Sequence, residues 1–261
     1  MHYLMLISEY PQMLFQTELL IRSIKHYSKN KRSFFSIVVN GSEKTPIVKP
    51  SLKKCSVKNR YINANAEIWR SPYFWRIPIP SRWFIEPKAD SCIFIDADVI
   101  ACRNLENIYK LDKSLFHGVP APLNPLSKEE WCSLGINEKK QKKLNYFNMG
   151  FLVVPSQYVR PIGEKMLELM QATIDLVPEH YYYAGQLTVT RALSELDIQA
   201  NHLPNTYNWL DTHAPINLEN VFFLHYLKNR EKIVSYYNMG NNANQYLYTI
   251  NQVAKNVFRP R

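Results

Sequence analysis

A chain of 261 residues with 46% hydrophobic and 21% charged residues has the make-up of a globular protein, enough for one large α/β domain or two small ones, and not of a disordered or fibrous one. Its four cysteines, Cys55, Cys92, Cys102 and Cys132, show no CxxC or metal-site spacing, which excludes a disulfide scaffold or structural zinc and points to reduced thiols in a cytosolic-type compartment. The net charge of +10 comes from scattered lysines and arginines ("KNKR", "EKKQKK", "RPR"), so nucleic acid is not expected as a partner, and an anionic small substrate or membrane surface fits better. "HYLMLIS" (2–8) reads as a first strand. "PQMLFQTELLIRSIKHY" (11–27) places Leu14, Glu18, Ile21 and Ile24 at helical spacing, with Pro11 suited to the first turn. The start lacks a basic n-region and meets Glu9 and Pro11 early, so a signal peptide is not expected. "SFFSIVVNG" (33–41) is a second strand, and this β-α-β order points to a doubly wound, mostly parallel sheet.

Residues 42–81 are rich in Lys, Pro and aromatics, and only "AEIWRSPYFWRIP" in them looks structured. "CIFI" (92–95) is a short apolar strand of the kind buried on both faces of a sheet. "FHGVPAP" (116–122) reads as another strand, followed by a polar connection through Trp131 to Lys143. "YFNMGFLVVP" (146–155) is a strand and "PIGEKMLELMQATIDLV" (161–177) a helix, with Ile162, Met166, Leu169, Met170 and Ile174 on one face. "GQLTVTRALSEL" (185–196) is a further helix, and "NVFFLHYL" (220–227) a short late strand. No run approaches the roughly 18 apolar residues of a membrane span. There is no internal repeat and no composition break, so one domain is expected over 1–261.

The chemistry centres on "CIFIDADVI". On an extended segment residues i and i+2 point the same way, so Asp96 and Asp98 present two carboxylates together at the carboxyl end of a strand. Open α/β sheets place ligands at that edge. Paired acidic oxygens without cysteine neighbours suit a hard divalent cation, Mg²⁺ or Mn²⁺. The bland alternative is that both cap the turn at "RNLENIY" or pair with arginines. A second functional reading is the DxDxV nucleophile motif of haloacid-dehalogenase-like phosphatases, which "DADV" matches. That chemistry also needs a later acidic pair, and no DD or GDxxxD follows.

"CIFIDADVIACRNLENIY" resembles the DxD segment of GT-A type nucleotide-sugar glycosyltransferases of family 8, the glycogenin-like and lipooligosaccharide galactosyltransferase-like group. In order follow "YFNMGFLVVP", similar to that group's FNxG strand, and "GQLTVTRAL", similar to its DQ helix start. "LPNTYNW" resembles its LPxxYN turn, and "FLHYLK" its late histidine motif. The resemblance implies a single GT-A, Rossmann-like domain with a mixed, mostly parallel central sheet flanked by helices, divided into a nucleotide-binding half (1–110) that ends in the DxD motif, an acceptor-side half (111–235) and a tail (236–261). It implies transfer of a sugar from a nucleoside diphosphate sugar, UDP favoured, to a glycan, lipid-linked glycan or other hydroxyl acceptor. It also implies Mn²⁺ or Mg²⁺ on Asp96, Asp98 and His225; on its own, a histidine beside "VFFL" reads as core.

By the same resemblance, Arg82 and Lys228 are candidates for the donor phosphates; Ser8 and Tyr10, in the loop after the first strand, are candidates for the base and ribose because ligands sit at strand ends, with core packing the alternative for Tyr10. Asn148 in "FNMG" would face a sugar, with the backbone close at Gly150. The family's DQ stands here as Gly185-Gln186. The acidic member is absent, and Gln186 alone would lie under the anomeric carbon. Retention is the favoured outcome; if transfer inverts, a carboxylate base is required, and Asp211 in "YNWLD" is the candidate. The absent acid also keeps open a non-catalytic sugar-nucleotide or glycan-binding protein. The tail "QYLYTINQVAKNVFRPR" sets Leu247, Ile250, Ala254 and Val257 on one face beside basic residues. It offers either an interfacial helix on anionic lipid or packing against its own domain, and the protein is expected to be cytoplasmic with at most peripheral membrane contact.

Overall fold

The structure, a computed structural model, describes residues 1–8, 11–28, 34–40, 58–62, 77–83, 89–144, 146–210 and 218–226. The chain begins β1 (His2–Ser8), α1 (Pro11–Tyr27), β2 (Phe34–Asn40), β3 (Lys58–Ile62), α2 (Pro78–Trp83), β4 (Ser91–Ile95) and β5 (Val99–Ala101). It continues α3 (Glu106–Tyr109), β6 (Phe116–Pro120), α4 (Lys128–Ser133), α5 (Glu138–Leu144), β7 (Phe147–Pro155), α6 (Ser156–Leu176) and α7 (Ala184–Glu195). Three short strands follow, β8 (Ala200–His202), β9 (Trp209–Leu210) and β10 (Phe223–His225).

Seven strands form one sheet in the order β3-β2-β1-β4-β7-β6-β8. Pairs β2–β3, β1–β2, β1–β4 and β6–β8 are parallel, while β7 runs antiparallel to both neighbours. This bears out the mixed, mostly parallel sheet with helices on both faces. Alternation along the central strands divides the core. Ile93 and Ile95 of β4 join Phe151 and Val153 of β7 and Ile21 and Ile24 of α1 on one face. Cys92, Phe94, Leu152 and Val154 face the other way, onto Ile162 and Met166 of α6 and Val189 and Leu193 of α7. Three strands make a second, smaller sheet, β5-β10-β9, beside the carboxyl end of β4.

Several sequence expectations shift for identifiable reasons. β3, "KNRYI", was not expected, because its charged residues break the apolar alternation; it is the outer strand of the sheet, where lysine and arginine are tolerated. α2, "PIPSRW", hides behind two prolines, yet both fall in the first turn, whose N–H groups have no helical partner anyway. The polar connection after β6 contains α4, opened by a capping box on Ser127 and Glu130, and α5. α6 starts at Ser156 rather than Pro161, and the extra turn buries Val159. The aromatic stretch 63–76 and the tail 236–261 lie outside the described residues.

Candidate metal centre and its surroundings

Asp96 and Asp98 follow β4 directly, at the carboxyl end of a strand parallel to β1. The chain then enters β5, whose Val99 pairs with His225 on β10. That pairing, reinforced by the Tyr226 N–H donating to the Asp98 carbonyl at 3.1 Å, carries the histidine beside the acids. The His225 Nε2 lies 3.3 Å from Asp98 Oδ1 and 3.8 Å from Asp96 Oδ2. All three side chains are almost completely buried, at 8%, 3% and 3% exposure for Asp96, Asp98 and His225. Both imidazole nitrogens lack a hydrogen bond among the described residues. At the turn "RNLENIY", α3 has no side-chain cap at Leu105, and its first N–H is taken by Asn104.

The far wall of this centre is β7. The Asp96 N–H donates to the Gly150 carbonyl at 3.2 Å. Gly150 is required by close approach, because a Cβ there would lie 2.4 Å from His225 Cε1 and Nδ1. Asn148 is half-buried, and its Oδ1 accepts from the Gly150 N–H at 2.8 Å and from Asn208 Nδ2 at 2.8 Å. The β6–β7 register shifts between Gly118 and Pro120, opposite this stretch, and such bulges re-aim side chains. Phe147 and Met149 meet one core face, yet so do Leu152 and Val154, so the alternation changes parity at "NMG".

The remaining predicted residues are spread along the same architecture. Ser8 ends β1, buried, in register with Asn40 of β2. Gln186 lies in the first turn of α7, and its Oε1 is buried with no hydrogen-bond partner among the described residues. The short 3₁₀ turn that leads into α7, Pro178–Tyr183, is tied to α4 by His180 Nε2 against Glu130 Oε1 at 3.1 Å. Arg82 belongs to α2, with its side chain outside the described part; Tyr10, Asp211 and Lys228 are outside it altogether. Asn208 was not singled out from sequence. "LPNTYNW" contains it, but a polar residue in a turn carries no sign that it is 1% exposed and bonded to Asn148.

Two buried carboxylates beside an imidazole that makes no hydrogen bond are costly unless something neutralises them. Carboxylate oxygens and one imidazole nitrogen are the donor set of Mn²⁺ or Mg²⁺. Each of the three residues offers a ligand atom within 4.8 Å of the other two, so the cluster fits such an ion. Among the described residues no helix is long and apolar enough to cross a membrane.

Comparisons with known proteins agree on the architecture. A family profile described as Glycosyl transferase family 8 matches residues 6–232. No curated protein matches the chain by sequence. Among solved structures, the galactosyltransferase LgtC, in complex with donor and acceptor sugar analogues, superposes with a TM-score of 0.64 at 13% identity, over 100% of this chain and 98% of that one. The apo bifunctional glycosyltransferase WbbM gives 0.59 at 17% identity, over 85% of this chain and 45% of that one. Mouse xyloside xylosyltransferase 1 gives 0.54 at 12% identity, over 88% and 98%. At these identities the likeness is one of fold.

Proposed function

The chain belongs to glycosyl transferase family 8 and is a glycosyltransferase with the GT-A architecture; on that premise we propose that it moves a sugar from a nucleoside diphosphate sugar, UDP first, to a hydroxyl of a glycan or lipid-linked glycan. The observation that carries the donor class is the buried Asp96–Asp98–His225 cluster at the carboxyl edge of β4. An ion held there, Mn²⁺ or Mg²⁺, would supply charge compensation for the diphosphate leaving group.

The chain's own residues divide the remaining work. Ser8 and Tyr10, after β1, meet the base and ribose, as ligands do at strand ends. Arg82 and Lys228 answer the phosphates with positive charge. Asn148 turns its amide toward the transferred sugar. The buried Gln186 Oε1, a carbonyl oxygen with no partner among the described residues, faces the positive charge that grows at the anomeric carbon. LgtC has also been solved as an active-site variant in which a glutamine is replaced by glutamate, so a glutamine lies in that enzyme's active site. Retention is the favoured outcome, with the leaving phosphate taking the acceptor proton. Inversion would instead assign Asp211 as general base. The whole chain would act as one cytoplasmic domain, with residues 246–261 as a peripheral contact to anionic lipid. Vesicle sedimentation that is the same without those residues would remove the membrane contact.

The test is incubation with UDP-, GDP- and dTDP-sugars plus Mn²⁺. Slow release of UDP without acceptor, abolished by a chelator, is the expected result. Binding of a donor that is never consumed would make the chain a sugar-nucleotide-binding protein instead. Silence across the panel would overturn the donor class.

A further inference from the structure

We infer that Asn208 is a positioning residue, which holds the Asn148 amide with its two N–H donors turned toward the substrate. This rests on the reading above that Asn148 faces the sugar.

The hydrogen bonds leave one consistent arrangement. The Gly150 N–H needs an acceptor, and the Asn148 side-chain atom 2.8 Å away must therefore be its oxygen. Asn208, on the same oxygen at 2.8 Å, must then contribute its nitrogen. Flipping either amide would put two donors or two acceptors face to face. With its oxygen engaged twice, Asn148 directs Nδ2 the other way, and that group makes no hydrogen bond among the described residues. A rotation of the Asn148 amide would exchange donor for acceptor at the substrate, and the pair of bonds prevents it.

Asn208 is built for this. It is 1% exposed, so water does not orient it. Its backbone closes the Asn205–Tyr207 turn, donating to the Asn205 carbonyl at 3.0 Å. The same turn is braced by the Phe222 N–H on the Thr206 carbonyl at 2.7 Å and by the Tyr207 ring 4.5 Å from that of Phe222. From there the chain enters β9, whose Leu210 pairs with His225. One strand, β10, thus steadies both the histidine of the metal cluster and the asparagine behind Asn148.

The other end of the Asn208 amide argues against space-filling. Its Oδ1 is buried with no partner among the described residues. A leucine of similar size would fill the space without that orphan acceptor. The amide is explained by the donor at its opposite end.

The experiment compares Asn208→Leu, Asn208→Ala, Asn148→Ala and the double variant Asn148→Ala/Asn208→Ala. UDP release from UDP-galactose or UDP-glucose with Mn²⁺ is measured with melting temperature beside it. Asn208→Leu should keep or raise the melting temperature and lower kcat about tenfold or more, with KM within about twofold. The double variant should be no worse than Asn148→Ala alone, since Asn208 acts through it. Losses that multiply, or Asn208→Leu with full kcat, would overturn the inference. A second readout does not need turnover. In ¹⁵N-labelled full chain, the Asn148 side-chain amide pair, assigned by its loss in Asn148→Asp, should move in Asn208→Leu. An unmoved pair overturns the inference even if neither donor is consumed, an outcome that would by itself count only against the proposed donor.

Discussion

Gly150 has no room for a side chain. Any side chain there meets the His225 ring, with a Cβ at 2.4 Å from two ring atoms. Gly150→Ala should therefore displace the imidazole while leaving Asp96 and Asp98 in place. Transfer should fall by about a hundredfold, the scale of a misplacement near 1 Å in a catalytic site, because a displaced ring, unlike a deleted one, keeps water from the vacated position, and calorimetric titration should show weaker Mn²⁺ binding. Unchanged Mn²⁺ affinity would mean that the ring does not serve the cluster. Asp98→Asn should lower transfer by on the order of a thousandfold, since charge compensation is lost where the leaving group forms. It should stay folded, because removing one charge from a close buried pair relieves repulsion. His225→Ala should be milder. It should raise the Mn²⁺ requirement by at least the roughly tenfold that even an outer-shell partner costs, with turnover retained because water can take the vacated position. The two acids were legible because their signal is local: an apolar strand that runs into alternating carboxylates. His225 was not legible from its own surroundings, where an apolar run makes a core residue the natural reading. Only its order among family-like segments singled it out, and the reason it reaches the acids, its pairing with Val99, is a long-range contact. Asn208 and the bond to Asn148 are of the same non-local kind.

The elements read most clearly were those buried on a regular period. β1, α1, β4 and α7 agree with their sequence patterns to within a residue. β3 and α2 were hidden by residues whose tolerance depends on position: charges on an outer strand, prolines in a first turn. α2 also sets a packing constraint. A Cβ on Gly163 of α6 would lie 1.9 Å from Ser81 Oγ, so these helices touch at their smallest residues. Gly163→Ala should destabilise by about 1–3 kcal/mol through overpacking, despite alanine's better helix propensity. Urea unfolding would show it, and a stabilised variant would mean that α2 sits further away. β4 carries a pH signature. Burial pushes the Cys92 thiol from an ordinary 9.0 up to about 11. The unfolded chain therefore releases this proton first, so the contribution is intact below about pH 9 and is lost as pH rises toward 11. The melting temperature should fall over that window, and less steeply in Cys92→Ala. Equal slopes would show that the thiol titrates freely.

At the scale of the whole molecule, two sheets meet at one edge. The large sheet delivers Asp96 through β4, and the small one delivers His225 through β10. A centre assembled between two sheets is completed only when something binds both, and this makes ligand binding and stability one measurement. Three buried polar side chains, two of them acids, are uncomfortable together without a cation. A cation alone has coordination positions that the three side chains do not fill and that the proposed diphosphate oxygens would take, and a diphosphate alone approaches two carboxylates. Mn²⁺ and UDP should therefore bind each other's complex more tightly than the free protein. With each near a hundred times its dissociation constant, either ligand alone gives about 2.7 kcal/mol, or roughly 5–10 °C for a chain of this size, and the two together give more than twice that. Each alone should give clearly less than half of the combined shift. The dependence should vanish in Asp98→Asn, whose fold is intact but whose charge is halved at the point of contact. Differential scanning fluorimetry with Mn²⁺, UDP, both and neither decides it. Shifts that simply add would mean that the ion and the nucleotide occupy separate places, and equal melting temperatures in all four conditions would remove the buried cluster from any account of donor binding.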